Sequence, residues 1–383
     1  MNATSGAVPR GGLLVSALLA ALLLGGCGES LPETNVTRYR VDLQNSGNFG
    51  ERPHHTGIPS EKWRFTVSDW IFSSPLVYDG VIYFGGVNGR FYALDAAGEE
   101  LWKFQADGDI YATPSIVDGV AYFGTKRGYF YALDLASRQP LWVVQSSQGF
   151  HASPVVLDAV YQGGQDSIFH AYNRSDGSPR WELPVDGAIY GSPAYAGGRL
   201  FFGTTAGSFY AVHADSGTVN WRISVEEGNL PAEAILGSPA IRDTLVLFGC
   251  MNGSFMARHI ADGRLVWNHK LLEPISTTPA VDSLRVYFGG WDSELYALDL
   301  HTGQRLWRYH TDDQVLGSPV LAGGTVIFGN RTGKLFALAA ESGTERWQFK
   351  TAFSVGASAT VVGDLILFGS KDRTLYALQY DGE

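Results

Sequence analysis

The residue types that most readily build a nucleophilic, redox or metal centre are scarce in this chain. Its 383 residues include 2 Cys and 9 His. Cys27 and Cys250 are far apart in sequence and too few for a four-thiolate zinc site or an iron–sulfur cluster. The histidines are scattered, and the adjacent pair His54-His55 belongs to no ligand spacing of the His-Glu-x-x-His kind. No Gly-x-Ser-x-Gly elbow is present, and the glycines stand at turn positions, not in a phosphate-cradling loop. Most carboxylates also fall in turns, where they cap the backbone, so no acid/base pair is predicted. No catalytic residue and no metal ligand is expected, and Cys250, which follows Phe248-Gly249, is expected to be a buried structural thiol.

The remaining chemistry is that of binding. Three residues before Pro75, Pro114, Pro154 and Pro193 stand Phe72, Tyr111, His151 and Tyr190, while Leu236, Ser276, Leu316 and Gly356 hold the corresponding later positions. Four rings in equivalent places could grip a peptide, a sugar or a planar ligand; the alternative is that they pack against neighbouring loops. Trp70 and Trp291 fall outside the main tryptophan spacing, at turns where an exposed indole anchors an interface or covers a chain end. One acidic, proline-stiffened stretch contains Glu226, Glu227, Leu230, Pro231 and Glu233 and runs to Leu236. These residues, with Trp70 and Trp291, are the candidates for contact with a protein partner.

Charge excludes one class of partner. There are 28 basic against 38 acidic residues, a balance of −10 with no basic stripe, so nucleic-acid binding is not expected. Hydrophobic residues make up 45% of the chain, as in a folded globular protein. At the amino terminus, Arg10 precedes an apolar run from Leu13 to Leu24, short for a membrane span and suited to a secretory signal. The run ends in Leu24-Gly25-Gly26-Cys27, which resembles the bacterial lipobox. That resemblance implies cleavage after residue 26 and a lipid on the Cys27 thiol. It predicts a signal peptide over 1–26, a lipidated tether over 27–37, and a cell-envelope location. In a Gram-negative host, that location is the outer membrane, facing the periplasm.

The elements that position these residues repeat. Trp63, Trp102, Trp142, Trp181, Trp221, Trp267, Trp307 and Trp347 follow one another at intervals of 39, 40, 39, 40, 46, 40 and 40. Ser/Thr-Pro follows 12 residues after most of them, from Ser74-Pro75 to Ser318-Pro319, with Ser358-Ala359 in the eighth unit. An apolar run ending in Phe-Gly comes next, with Gln162 the exception, and then a Tyr-Ala-Leu-Asp run such as Tyr296–Asp299. Asp-Gly, Asn-Gly and Thr-Gly pairs mark the turns. Four strands, A to D, in a period near 40 predict an all-β, eight-bladed propeller over residues 38–383. Strand A should carry Ser/Thr-Pro at the axis, and strand D the tryptophan. The eighth unit stops before any Trp strand, so the amino-terminal strand around Trp63 should complete the last blade and close the ring. D–A and B–C loops then share one face. That face varies in sequence, and its long insertion lies between Trp221 and Pro239.

These units, with Asp299-x-x-Thr302-Gly303-x-x-x-Trp307 as a full example, resemble the pyrroloquinoline quinone (PQQ)-type propeller repeat. The length, anchor, blade number and clasp are similar to those of the lipoprotein scaffold of the outer-membrane β-barrel assembly machine. That resemblance implies a non-catalytic, lipid-anchored scaffold, monomeric on its own, whose partner is the barrel-assembly protein. Secreted propellers of the same repeat that bind polymers, proteins or small ligands are the alternative. The PQQ-dependent dehydrogenases share the repeat, but their resemblance would require an adjacent cysteine pair that this sequence lacks, so no cofactor is expected.

Overall fold

In the computed structural model, which describes residues 1, 35, 37–50, 57–225 and 233–380, thirty-two strands form eight four-stranded antiparallel sheets. Blade one consists of Leu76–Tyr78 (strand A, at the axis), Val81–Gly85 (B), Arg90–Leu94 (C) and Glu100–Gln105 (D, outermost). Blades two to seven repeat this order in contiguous sequence, spanning 115–145, 155–184, 194–224, 240–270, 280–310 and 320–350. Blade eight takes strands A to C from Thr360–Val362, Leu365–Gly369 and Thr374–Gln379, and strand D from Ser60–Thr66. There Trp63 pairs with Ala377 as Trp102 pairs with Ala93 in blade one, so the eight-bladed ring is closed by its amino-terminal strand. No helix among the described residues is long and apolar enough to cross a membrane.

Each repeated residue has a task between blades. The Ser/Thr-Pro pairs lie just before strand A and not within it; Leu76 begins the strand that follows Pro75. The reason is a hydrogen-bonded ring. Ser74 N–H donates to the Thr113 hydroxyl (2.9 Å), Thr113 N–H to Ser153 (3.0 Å), Ser153 N–H to Ser192 (2.9 Å) and Ser192 N–H to Ser238 (2.8 Å). Ser238 N–H and Thr278 N–H continue it to Thr278 and Ser318 at 3.1 and 3.0 Å. A small hydroxyl residue is needed because its side chain must satisfy a buried donor of the neighbouring blade.

The tryptophans work at the outer radius. Trp63, Trp181, Trp267 and Trp307 donate their indole N–H to a carbonyl of the next blade, at Ala96, Ala214, Leu300 and Ala340. Each ring lies on the glycine of the next blade's C–D turn. A Cβ on Gly303 would stand 2.6 Å from Trp267, and one on Gly343 2.7 Å from Trp307. Stacked pairs such as Phe169–Phe202 (4.3 Å) and Phe255–Phe288 (3.9 Å) join neighbouring blades, and such pairs add about 0.5–1.5 kcal/mol each beyond area burial.

Residues 37–50 do something the repeat did not announce: they line the inner edges of the A strands. Ile116 N–H donates to Thr37 O (2.7 Å), Tyr195 N–H to Leu43 O (2.7 Å) and Ile241 N–H to Gln44 O (2.8 Å). Val281 N–H and Leu321 N–H likewise reach Ser46 O and Gly47 O at 2.9 and 2.8 Å. Buried Asn45 donates to the carbonyls of Ser192, Pro193 and Pro239, and buried Arg40 donates to Pro279 O at 2.7 Å. The segment supplies hydrogen-bond partners to the innermost backbone of the A strands. A cavity of about 10 Å³ remains between Tyr39, Asn45 and Ser153, and a wider recess of about 720 Å³ opens beside Asn48, Gly50 and Leu321.

Candidate functional site

The D–A loops set the rim of the axis, and their aim is fixed by glycine. In each blade an apolar loop residue presses on the Gly of the Phe-Gly pair. A Cβ on Gly85 would lie 2.2 Å from Ile110, one on Gly124 2.3 Å from Phe150, one on Gly163 2.4 Å from Ile189 and one on Gly369 2.4 Å from Ile71. The residues that follow these four plugs are Tyr111, His151, Tyr190 and Phe72, so the fold delivers all four predicted rings to one rim.

The rings touch one another in sequence order. Phe72 and Tyr111 stack at 5.2 Å, Tyr111 and His151 at 4.6 Å, and His151 meets Tyr190 at 5.2 Å with a 54° tilt. Trp70 extends the arc edge-on to Phe72 at 6.0 Å. The predicted partner anchor and the predicted ligand-binding rings therefore form one aromatic arc. Its ends are the accessible parts, with Trp70 45% and Tyr190 38% exposed. Lysines from B–C turns complete it. Lys371 Nζ lies 5.4 Å from the Trp70 ring and 5.1 Å from Phe72, and Lys126 Nζ lies 5.6 Å from Tyr111. Burial, reinforced by Lys126 and opposed by Asp109, holds the His151 imidazole below its ordinary range, so it stacks as a neutral ring.

The other half of the rim is plainer. Leu236 is half-buried and Glu233 exposed, whereas Glu226, Glu227 and Leu230 lie outside the described residues, as does Cys27. Trp291 does not project freely: its indole donates to the Ser276 hydroxyl at 3.0 Å, joining the B–C turn of blade six to the rim. Cys250 is fully buried in the apolar core and its thiol is pushed up to about 12 by burial, as suits a structural residue.

Sequence reasoning missed several polar residues. Lys126 and Lys371 were legible only as turn residues. In blade three, His170 replaces the tyrosine of the repeat and pairs across the strands with Gln162, which replaces the phenylalanine. The two exceptions are thus one cross-strand event. His170 sits between Asp166 (3.0 Å) and Glu182 (3.3 Å), and Asp166 also accepts the Ser146 hydroxyl at 2.5 Å. Those hydrogen bonds outweigh burial and hold the Asp166 carboxyl below the usual carboxylate range. Among the described residues, no three His, Cys, Asp or Glu side chains gather to hold a metal ion.

Comparison with known proteins places this ring. No curated protein matches it by sequence. Among solved structures it is similar to BamB from Moraxella catarrhalis, with a TM-score of 0.74 and 18% identity over 84% of this chain and 100% of that one. It is similar also to the quinohemoprotein alcohol dehydrogenase of Comamonas testosteroni, with a TM-score of 0.79 and 14% identity over 91% and 81% of the two chains. A europium-containing methanol dehydrogenase gives 0.77 and 14% over 91% and 98%. At such identities these likenesses establish the fold, which BamB and the dehydrogenases share. Residues 59–168, 131–280 and 261–383 match the PQQ-repeat family described as outer membrane protein assembly factor BamB, and with every blade so covered, the chain belongs to that family.

Proposed function

We propose that the protein is a non-catalytic, lipid-anchored docking propeller that supports the assembly of outer-membrane β-barrel proteins. Membership of the BamB family carries this reading. The D–A and B–C face supports it, because there the exposed Trp70 and Phe353 stand beside the cationic turns of Lys371 and Arg331 on an otherwise acidic protein. On this reading Cys27 carries the lipid, the protein works from the periplasmic side of the outer membrane, and the loop around Glu226, Glu227, Leu230, Glu233 and Leu236 joins the face that meets the barrel-assembly protein. A quinone-dependent oxidation is a poorer fit to the residues present. The adjacent cysteine pair of the PQQ-dependent dehydrogenases is missing from this sequence, and the lone thiol of the propeller is buried.

The test is recovery of the tagged protein from its own membranes in mild detergent, with mass spectrometry of what accompanies it. Near-stoichiometric recovery of an outer-membrane barrel insertase is the expected result. Its absence, or alcohol or sugar oxidation by the purified protein supplied with PQQ, overturns the reading.

A further inference from the structure

The aromatic arc ends in a groove that the repeat alone does not define. An open trough of about 660 Å³ runs between blades seven, eight and one, walled by Trp70, Phe353, Arg331, Lys371 and Arg373, with Ser354 at its base. Two of its rings are unusually bare: Trp70 is 45% and Phe353 63% exposed. Its two carboxylates are held by hydrogen bonds from neutral donors. Asp69 Oδ1 accepts the Trp70 N–H at 2.8 Å, and Asp372 accepts from Ala352 N–H (3.1 Å), Thr374 N–H (3.1 Å) and the Tyr376 hydroxyl (2.8 Å). The three cations, in contrast, have no carboxylate within ion-pair distance among the described residues, and Lys371 rests on aromatic faces instead. The Ser354 hydroxyl, in a residue only 7% exposed, also has no hydrogen-bond partner.

The turn that carries two of these cations accepts a backbone penalty. Five blades place Gly at the corresponding left-handed position (Gly89, Gly128, Gly207, Gly253 and Gly333) and two place the small Ser167 and Ser293, whereas the long Arg373 occupies it at φ +70° in blade eight. A long side chain there carries a left-handed penalty that glycine would not, so turn-making alone does not explain the arginine.

We infer that this groove binds an acidic peptide segment bearing aromatic side chains. Rings on the segment would pack on Trp70 and Phe353 while its carboxylates meet Lys371, Arg331 and Arg373. On a chain with a balance of −10, the three cations outnumber the groove's two carboxylates, Asp69 and Asp372, and this local excess of positive charge selects for negative charge within a Debye length. The trough is open to solvent, which gives a peptide segment access to it. The inference deepens the docking reading above by naming what one part of the face recognises.

The experiment is isothermal titration of the full protein with two synthetic peptides, acetyl-Gly-Phe-Asp-Phe-Asp-Phe-Gly-amide and its counterpart with Lys for Asp. The acidic peptide is expected to bind at least about tenfold more tightly and to weaken as salt is raised. The double variant Arg331→Glu/Lys371→Glu should abolish that preference. Phe353→Ala should weaken both peptides while leaving the thermal midpoint unchanged, since these side chains are on the surface. Equal affinity for the two peptides, no heat with the acidic one, or unchanged binding by the folded double variant overturns the proposal. The double variant is then carried through the membrane recovery. An insertase retained by a variant that has lost the peptide leaves the docking reading standing and assigns the groove to another ligand, whereas an insertase absent from the wild type removes the docking reading whatever the peptides do.

Discussion

A serine hydroxyl is a small object to hold a ring together, yet the inter-blade bonds give each one a definite cost of removal. Ser153→Ala would leave the Thr113 N–H, in a residue 3% exposed, with no acceptor. A buried donor so stranded costs about 1–3 kcal/mol, so the urea midpoint should fall by that equivalent. Ser216→Ala, in an exposed turn, should stay within about 0.5 kcal/mol of wild type. His151 gives a second residue-level prediction. Its folded-state pKa lies below 6.5, so as pH falls through 6.5 the unfolded chain takes up a proton that the folded chain still refuses. Stability is therefore lost across the window between the unfolded and the folded value, and is level below it. His151→Phe keeps a ring in the stack and removes the titration. Between about pH 7 and pH 5 its stability should decline less than that of wild type, with His269, which burial also depresses, still contributing in both proteins.

Among the turns, glycine has two separable uses. Gly80, in an A–B turn, takes φ +73° with nothing near a prospective Cβ, whereas Gly303, in a C–D turn, takes φ +69° with Trp267 at 2.6 Å. Gly80→Ala should cost the left-handed penalty alone, about 1–2 kcal/mol, and Gly303→Ala clearly more because the indole must move. Thermal denaturation of the two variants measures the difference. The blades were legible because every one solves the same packing problem, so Trp, Ser/Thr-Pro and Phe-Gly recur at fixed spacing. The rim rings were legible for the same reason, since Phe72, Tyr111, His151 and Tyr190 are equivalent positions. Lys371, Arg331 and Phe353 were not, because each is an ordinary loop residue until curvature brings blades seven, eight and one together. Residues 37–50 were hidden for a different reason. Their bonds to the ring are mostly backbone to backbone, which leaves little side-chain pattern to read.

For the molecule as a whole, that inner segment and the closing strand make the two ends of the propeller sequence dependent on each other. Asn45 alone donates to carbonyls of blades four and five, so Asn45→Ala should lower the global stability by about 1–3 kcal/mol, read by denaturant unfolding as a shifted midpoint with an unchanged slope. Closure itself pairs Ser60 with Gln379 and Thr66 with Thr374, across almost the entire length of the sequence. Blades one to seven are each complete in contiguous chain and can form in the order in which they are made. The eighth must wait for the last of its strands, and a contact between such distant residues carries a high entropic threshold and forms slowly. A chain emerging amino terminus first would therefore keep Ser60–Thr66 as an unpaired edge until the final strand arrived. That interval is the protein's period of greatest exposure to aggregation, and the moment at which a chaperone would be of most use to it.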